Sequence, residues 1–379
     1  MKKTLLILLP FLGVTLALAG EDKTQSAAAV VNRVTKGGRG NEEAQAAWKI
    51  LAKLPPEALP ELLASFQNDN PLGQNWLRTA VNTVVENARK SGQSLPQAAL
   101  QKFLDNKANL PEARALAFEI LLQIDAKTKE RVPSFLNDPG AELRRLGVAY
   151  WQEKSLEAKK ANKKEEAVAG LKKCFQAASD QDQVDALAKE LKSLGENVDL
   201  PGHYGFIQSW HLTGAFDSTG GKGYGTVYPP EGKVDLAATY KGKGGEQFGW
   251  KEFPTTHDHG QMDLNKLIGK KKDCLAYAYA KIITAQAGQV YLRAGCITAL
   301  KIWVNGAPAY AREEYHHGMS IDQHITPITL RKGANTILLK VCQNNQTDSW
   351  AQKWEFMVRL TDSAGSRIAF TPAEKTGGE

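Results

Sequence analysis

The residues with the most chemical capacity lie in the C-terminal half of the 379-residue chain, where Thr256-His257-Asp258-His259-Gly260 sets two imidazoles on either side of a carboxylate. On an extended chain His257 and His259 project to the same side, because successive strand side chains alternate. A second group, Tyr315-His316-His317-Gly318 with Asp322 and His324 behind it, could complete a shared metal site. Zinc would need His contacts of about 2.0–2.1 Å and usually three protein ligands. The alternative reading makes both segments polar surface turns whose His and Asp side chains bond to backbone.

Stacking is the other available chemistry. A site for a sugar ring needs an aromatic face and a few polar groups at fixed positions around it. Trp350, at the end of Asn344-Asn345-Gln346-Thr347-Asp348-Ser349-Trp350, qualifies, as do Tyr315, His316 and Trp250. Trp210, Trp303 and Trp354 alternate with apolar residues and read as core. Gly220-Gly221-Lys222-Gly223-Tyr224-Gly225 fails the phosphate-loop spacing, since Gly rather than Ser or Thr follows Lys222. Neither a G-x-S-x-G elbow nor an H-E-x-x-H helix occurs. Glu231, Glu246, Glu252, Glu313 and Glu314 are scattered with nothing to mark an acid/base pair, so no catalytic residue and no enzyme is expected.

Two different element grammars position these residues. All seven histidines, nine of the ten tyrosines and five of the eight tryptophans fall after residue 200. There, short β-branched and aromatic runs alternate with Gly-rich turns, from Phe206–Leu212 through Cys274–Thr284 to Lys353–Leu360, about nine or ten strands with no long helix between. Asn305-Gly306 tolerates the positive φ angles of a type I′ turn and marks a hairpin after Leu300–Val304. The expectation is an antiparallel β-sandwich, a jelly roll, over 201–371 and a disordered tail over 372–379. Before residue 200, apolar residues recur in steps of three and four, as in Leu77, Ala80, Val81, Val84, Val85 and Ala88, or Val184, Leu187, Ala188, Leu191 and Leu194. Helical starts near 41, 74 and 111 are roughly 33 to 37 residues apart, the spacing of helix-hairpin repeats, and another falls near 141. A HEAT-like or TPR-like array over 41–198 is expected after a flexible segment over 20–40. An irregular helical bundle is the alternative.

The C-terminal half also carries a family resemblance. Trp210-x-x-x-Gly214-x-Phe216, Tyr228-Pro229-Pro230-Glu231, Val234-Asp235-Leu236, Tyr240-x-Gly242-Lys243, Trp250-Lys251 and Ala276-Tyr277-Ala278-Tyr279 open a series of motifs. Lys301-Ile302-Trp303-Val304-Asn305-Gly306, Leu330-Arg331-Lys332-Gly333-x-Asn335 and Leu338-Leu339-Lys340-Val341 close it. Over roughly 203–370 the series resembles the galactose-binding-domain-like jelly roll that often stands behind helical repeats in exported bacterial proteins. The resemblance implies a fold and no particular ligand, because that fold hosts sugar-binding, adhesive and purely structural modules. It also implies a structural calcium as a candidate cofactor, held by Asp carboxylates and loop carbonyls with Asp217, Asp258 or Asp322 as the supplier, although no calcium-loop spacing is present.

Met1-Lys2-Lys3, an apolar run from Leu5 to Leu18 and Ala17-Leu18-Ala19 lay out a secretory signal peptide over 1–19. The run is short of the roughly 20 residues that span a bilayer, and no later segment could span one, so a periplasmic or extracellular location is expected. The net charge of +7 is spread without a basic tract, which argues against nucleic acid. Cys174 lies on an apolar helical face. Cys274, Cys296 and Cys342 permit at most one disulfide, and reduced core thiols are expected. These observations lead to a non-catalytic exported protein whose sandwich binds carbohydrate or envelope glycan while its helices dock a protein. The alternatives are a scaffold without a small ligand and an accessory domain of a glycoside-hydrolase system.

Overall fold

A computed structural model describes residues 23–67 and 70–373, so the signal segment and residues 374–379 lie outside the described residues. The chain forms two compact units that meet at Ala177/Ala178, the first helical and the second rich in antiparallel sheet. Among the described residues no helix is long and apolar enough to cross a membrane.

The first unit contains a helix over 23–31 (α1) and then α2 (Asn41–Leu51), α3 (Leu59–Ala64), α4 (Pro71–Ser91), α5 (Gln97–Asp105), α6 (Pro111–Ile124), α7 (Ala141–Lys160) and α8 (Lys164–Ala177). The apolar stripes become its core: Leu77, Ala80, Val81, Val84, Val85 and Ala88 of α4 are all buried. Proline opens α4 and α6, where its missing N–H has no intrahelical partner to lose. The Asn70 carboxamide oxygen caps α4 by accepting from the Gly73 N–H at 3.0 Å. The segment expected to be flexible is corrected here. Its α1 contributes Ala27, Ala28, Val31 and, just beyond, Val34 to the same core. Those side chains form a short stripe, and burial rather than intrinsic propensity holds such a helix in place. Beneath α6, the guanidinium of Arg114 meets the Asp138 carboxylate through two parallel hydrogen bonds of 2.8 and 2.9 Å, and its Nε donates to the Leu104 carbonyl. Both side chains are buried.

The second unit starts with α9 (Gln181–Ser193) and α10 (Leu200–Tyr204). Although its apolar stripe matches those of the array, α9 is tied to the sheet-bearing unit. Tyr204 Oη donates to Asp185 at 2.8 Å, and Lys192 pairs with Asp258 at 3.2 Å. The strands follow as β1 (Ser209–Asp217), β2 (Thr239–Lys241), β3 (Gln247–Gly249), β4 (Lys251–Pro254), β5 (Met262–Asp263), β6 (Cys274–Thr284) and β7 (Gly288–Cys296), then β8 (Ala299–Val304), β9 (Ala307–Arg312), β10 (His324–Leu330), β11 (Gly333–Gln343), β12 (Glu355–Thr361) and β13 (Thr371–Pro372). The larger sheet runs β4-β1-β6-β11-β8-β9, with β13 also on β6, and the smaller runs β10-β7-β12-β5. Every pairing is antiparallel. Trp210, Leu339 and Val341 from the larger sheet and Leu292, Phe356 and Val358 from the smaller share one apolar core. Strand β13 draws Thr371 and Pro372 into the sheet, so order extends slightly past the expected end at 371.

Asn305 and Gly306 take φ angles of 52° and 81°, the two positive values that a type I′ turn between β8 and β9 requires. Asn335 secures that corner, for its buried side chain accepts from the Arg331 N–H at 2.8 Å and from Asn305 Nδ2 at 2.9 Å. The motif residues Asn305 and Asn335 therefore serve the fold. All four cysteines are buried and free.

Along β11, Ile337, Leu339 and Val341 face the shared core while Leu338, Lys340 and Cys342 face outward. That outer face is covered as well. Phe216 meets the rings of Tyr228 and Phe248 at 4.9 Å and of Tyr240 at 5.3 Å, forming a second aromatic layer. Lys340 is fully buried within it. Its Nζ donates to Glu231 at 2.8 Å and to the Thr226 carbonyl at 2.6 Å, and Tyr277 Oη donates to the same carboxylate. Glu231, scattered by sequence, is thus the counter-ion of a buried lysine.

His324 on β10 is also buried, stacked on Tyr310 at 4.9 Å. Burial, aided by Arg312 and His317 and opposed by Glu314, holds its pKa down to about 4 against an ordinary 6.5. As pH falls, the unfolded chain takes up this proton first. Stability that is full above pH 6.5 is therefore lost as pH drops toward 4. A His324→Phe variant keeps the ring and cannot be protonated, so its urea midpoint is expected to fall less between pH 7 and 4. Equal losses in the two proteins would refute this assignment.

Candidate functional site

Trp354, just before β12, and Phe356 and Val358 on it enter the core, which turns Glu355 and Met357 onto the outer face of the smaller sheet. Three loops rise around that face and enclose a cavity of about 540 Å³, within the size range of small-ligand sites. His316, His317, Gly318, Met319, Ser320 and Ile321 form one wall, Trp350 and Lys353 a second, and His259 and Gln261 a third. Ile297 and Gln181 complete the lining.

Each wall is fixed by its own bonds. The loop before β10 ends on Asp322, whose carboxylate accepts from Arg293 Nη1 at 2.7 Å and from Arg359 Nε at 2.7 Å and Nη2 at 2.5 Å. These guanidiniums hold its pKa low against the opposing effect of burial. Gln323 ties the same loop inward, accepting from the Cys296 N–H at 3.0 Å and donating to His317 Nδ1 at 2.7 Å. In the second wall, Gln352 Nε2 closes the turn on the Thr347 and Asp348 carbonyls at 2.7 and 2.8 Å. The third wall makes its turn at Gly260, φ 62°, where an added Cβ would lie 2.5 Å from Phe206 Cβ. Only glycine fits both the backbone conformation and the space.

Two polar groups in the lining are electrostatically unusual. His316 Nε2 lies 2.5 Å from Asn344 Oδ1, an oxygen that also accepts from the Gln346 N–H. An amide oxygen can only accept, so His316 carries its hydrogen on Nε2. Burial lowers its pKa, with the Asn344 contact opposing, and in the neutral ring Nδ1 is a buried acceptor without a partner. Its ring meets Trp350 edge-on at 5.8 Å, and Trp350 is 61% exposed at the mouth. Glu355 is 7% exposed, and burial raises its pKa, with Asp263 raising it further and Lys353 and Lys266 opposing. Asp263 stands opposite Glu355 across β5 and β12. However, its carboxylate caps Asn265 and Lys266 N–H groups at 3.0 and 3.3 Å and pairs with Lys266 Nζ, and it does not line the cavity. The two carboxyls do not flank one substrate position.

Of the side chains singled out by sequence as ligands or stacking groups, His259, His316, His317 and Trp350 converge on this cavity and the others do not. His257 is exposed in a bend, its Nδ1 accepting the His259 N–H at 3.1 Å, so the two rings are not the aligned pair of an extended strand. His259 Nε2 approaches Asp185 at 3.4 Å and Asp258 pairs with Lys192. Asp217 accepts from Thr219 and Asp322 is clamped by two arginines. Each of the three aspartates thus has its own partners, and among the described residues no group of three or more His, Cys, Asp or Glu could hold a metal ion. Trp250 lies on the outer face of the larger sheet, its Nε1 donating to Tyr240 Oη at 3.2 Å, and Tyr315 packs against the same aromatic layer. Sequence reasoning missed Glu355. The signal was its place in Trp354-Glu355-Phe356, where strict alternation must turn a carboxyl outward.

The chain matches no protein-family model and no curated protein sequence.

Proposed function

We propose that this protein is an exported, non-catalytic binding protein. In this reading a HEAT- or TPR-like helical array docks a protein partner, and a galactose-binding-like jelly-roll β-sandwich takes a carbohydrate or envelope glycan into the cavity above the smaller sheet. The observation that carries the reading is the convergence of three loops on one cavity with the exposed ring of Trp350 at its mouth. An indole face that covers a sugar ring, surrounded by oriented polar groups, is what glycan recognition needs. The layout of residues 1–19 supports export, and the exposed Leu146 and Trp151 of α7 offer the array an apolar contact surface.

The test is retention of the full chain on insoluble peptidoglycan, chitin, chitosan and cellulose. At least one is expected to retain the wild-type protein, and Trp350→Ala is expected to bind it about 10-fold more weakly, a loss of about 1.4 kcal/mol. No retention on any glycan, or equal retention of the variant, would leave the scaffold reading as the better account.

A further inference from the structure

Three features of the cavity favour the same ligand group. Glu355 is 7% exposed and lines the cavity, and its carboxyl has no hydrogen bond or ion pair among the described residues. His316 presents a buried Nδ1 that accepts and has no partner. Trp350, 61% exposed, supplies an indole ring, the aromatic group that best attracts a cation. A buried carboxylate or acceptor left unpaired is costly, and a ligand that supplies N–H donors removes the cost. Hydroxyl groups donate one proton each, whereas an ammonium donates three and carries the charge that a carboxylate and an indole both attract.

We infer that the cavity takes an amine-bearing sugar, a hexosamine unit with a free ammonium group, held by Glu355, His316 Nδ1 and the face of Trp350. This rests on the glycan reading above and narrows it to one substrate class. An N-acetylated sugar fits less well. Its amide has a single N–H and no charge, and Glu355 remains unpaired beside it.

The test is calorimetric titration of the full chain with a glucosamine tetramer, its N-acetylated counterpart and, as a non-sugar amine, 1,4-diaminobutane. The free-amine tetramer is expected to bind at least 10-fold more tightly than the acetylated one. Glu355→Gln, which keeps the shape and an acceptor oxygen but removes the charge, is expected to erase that difference. Equal binding of the two tetramers by the wild-type protein overturns the inference and leaves the glycan reading standing, whether or not the variant folds. Unchanged amine binding by Glu355→Gln overturns it as well. If neither tetramer binds while the diamine binds in a Glu355-dependent way, the glycan reading falls and the ammonium site stands. If none of the three binds, both fall.

Discussion

Replacing Lys340 with alanine is expected to destabilise the sheet-bearing unit by about 3–5 kcal/mol, because it leaves the Glu231 carboxylate inside an aromatic layer without its cation. In the native protein that carboxylate receives Lys340 Nζ and Tyr277 Oη, and the ammonium also meets the Thr226 and Tyr224 carbonyls. Removing the lysine alone strands one buried charge and two carbonyls. Removing both charges, as in Lys340→Met with Glu231→Gln, leaves nothing ionised to desolvate, so the double variant is expected to be more stable than Lys340→Ala. Urea denaturation followed by the near-ultraviolet signal of the surrounding tyrosines measures both. A loss below 1 kcal/mol for Lys340→Ala would show that the network contributes little.

Arg114→Ala is expected to cost the helical unit a similar 3–5 kcal/mol, for the same reason in a different geometry. Arg114 and Asp138 are 2% and 3% exposed, and the pair is bidentate. The guanidinium also satisfies the Leu104 carbonyl, while Asp138 caps the Gly140 N–H at 2.9 Å. Arg114→Lys keeps the charge and loses the planar fork, so it is expected to recover part of the loss only. Asp138→Asn preserves the cap and strands the arginine, and it should fall between the two. Thermal unfolding monitored at the helical far-ultraviolet band reads this series. Equal midpoints for Arg114→Lys and the wild-type protein would mean that charge alone matters at this position.

How far sequence reached depended on whether an element was specified locally. The stripe of α4 and the Asn305-Gly306 turn are local statements, one about which side chains share a helix face and the other about which residues tolerate positive φ. Both carried directly into the structure. Helix α1 was not legible in the same way, since a few alanines and valines become a core stripe only when other elements supply the surface that covers them. Glu231 and Lys340 are 109 residues apart, and no spacing rule links them. At the site, residue types were informative and geometry was not. Trp350 and His316 stood out as stacking and polar groups, but only the fold brings their rings to 5.8 Å. Conversely, His257 and Asp322 looked like ligands because their side chains can coordinate. The fold assigns the first to a turn hydrogen bond and the second to an arginine clamp.

The most direct test of the account is amide hydrogen exchange of the full chain with and without saturating glucosamine tetramer. Added protection is expected in segments 255–261, 315–322 and 344–353 together, and its loss from all three is expected in Trp350→Ala. Protection confined to the outer face of the larger sheet around Trp250, or no protection in the three loops while the sugar is bound, would contradict it.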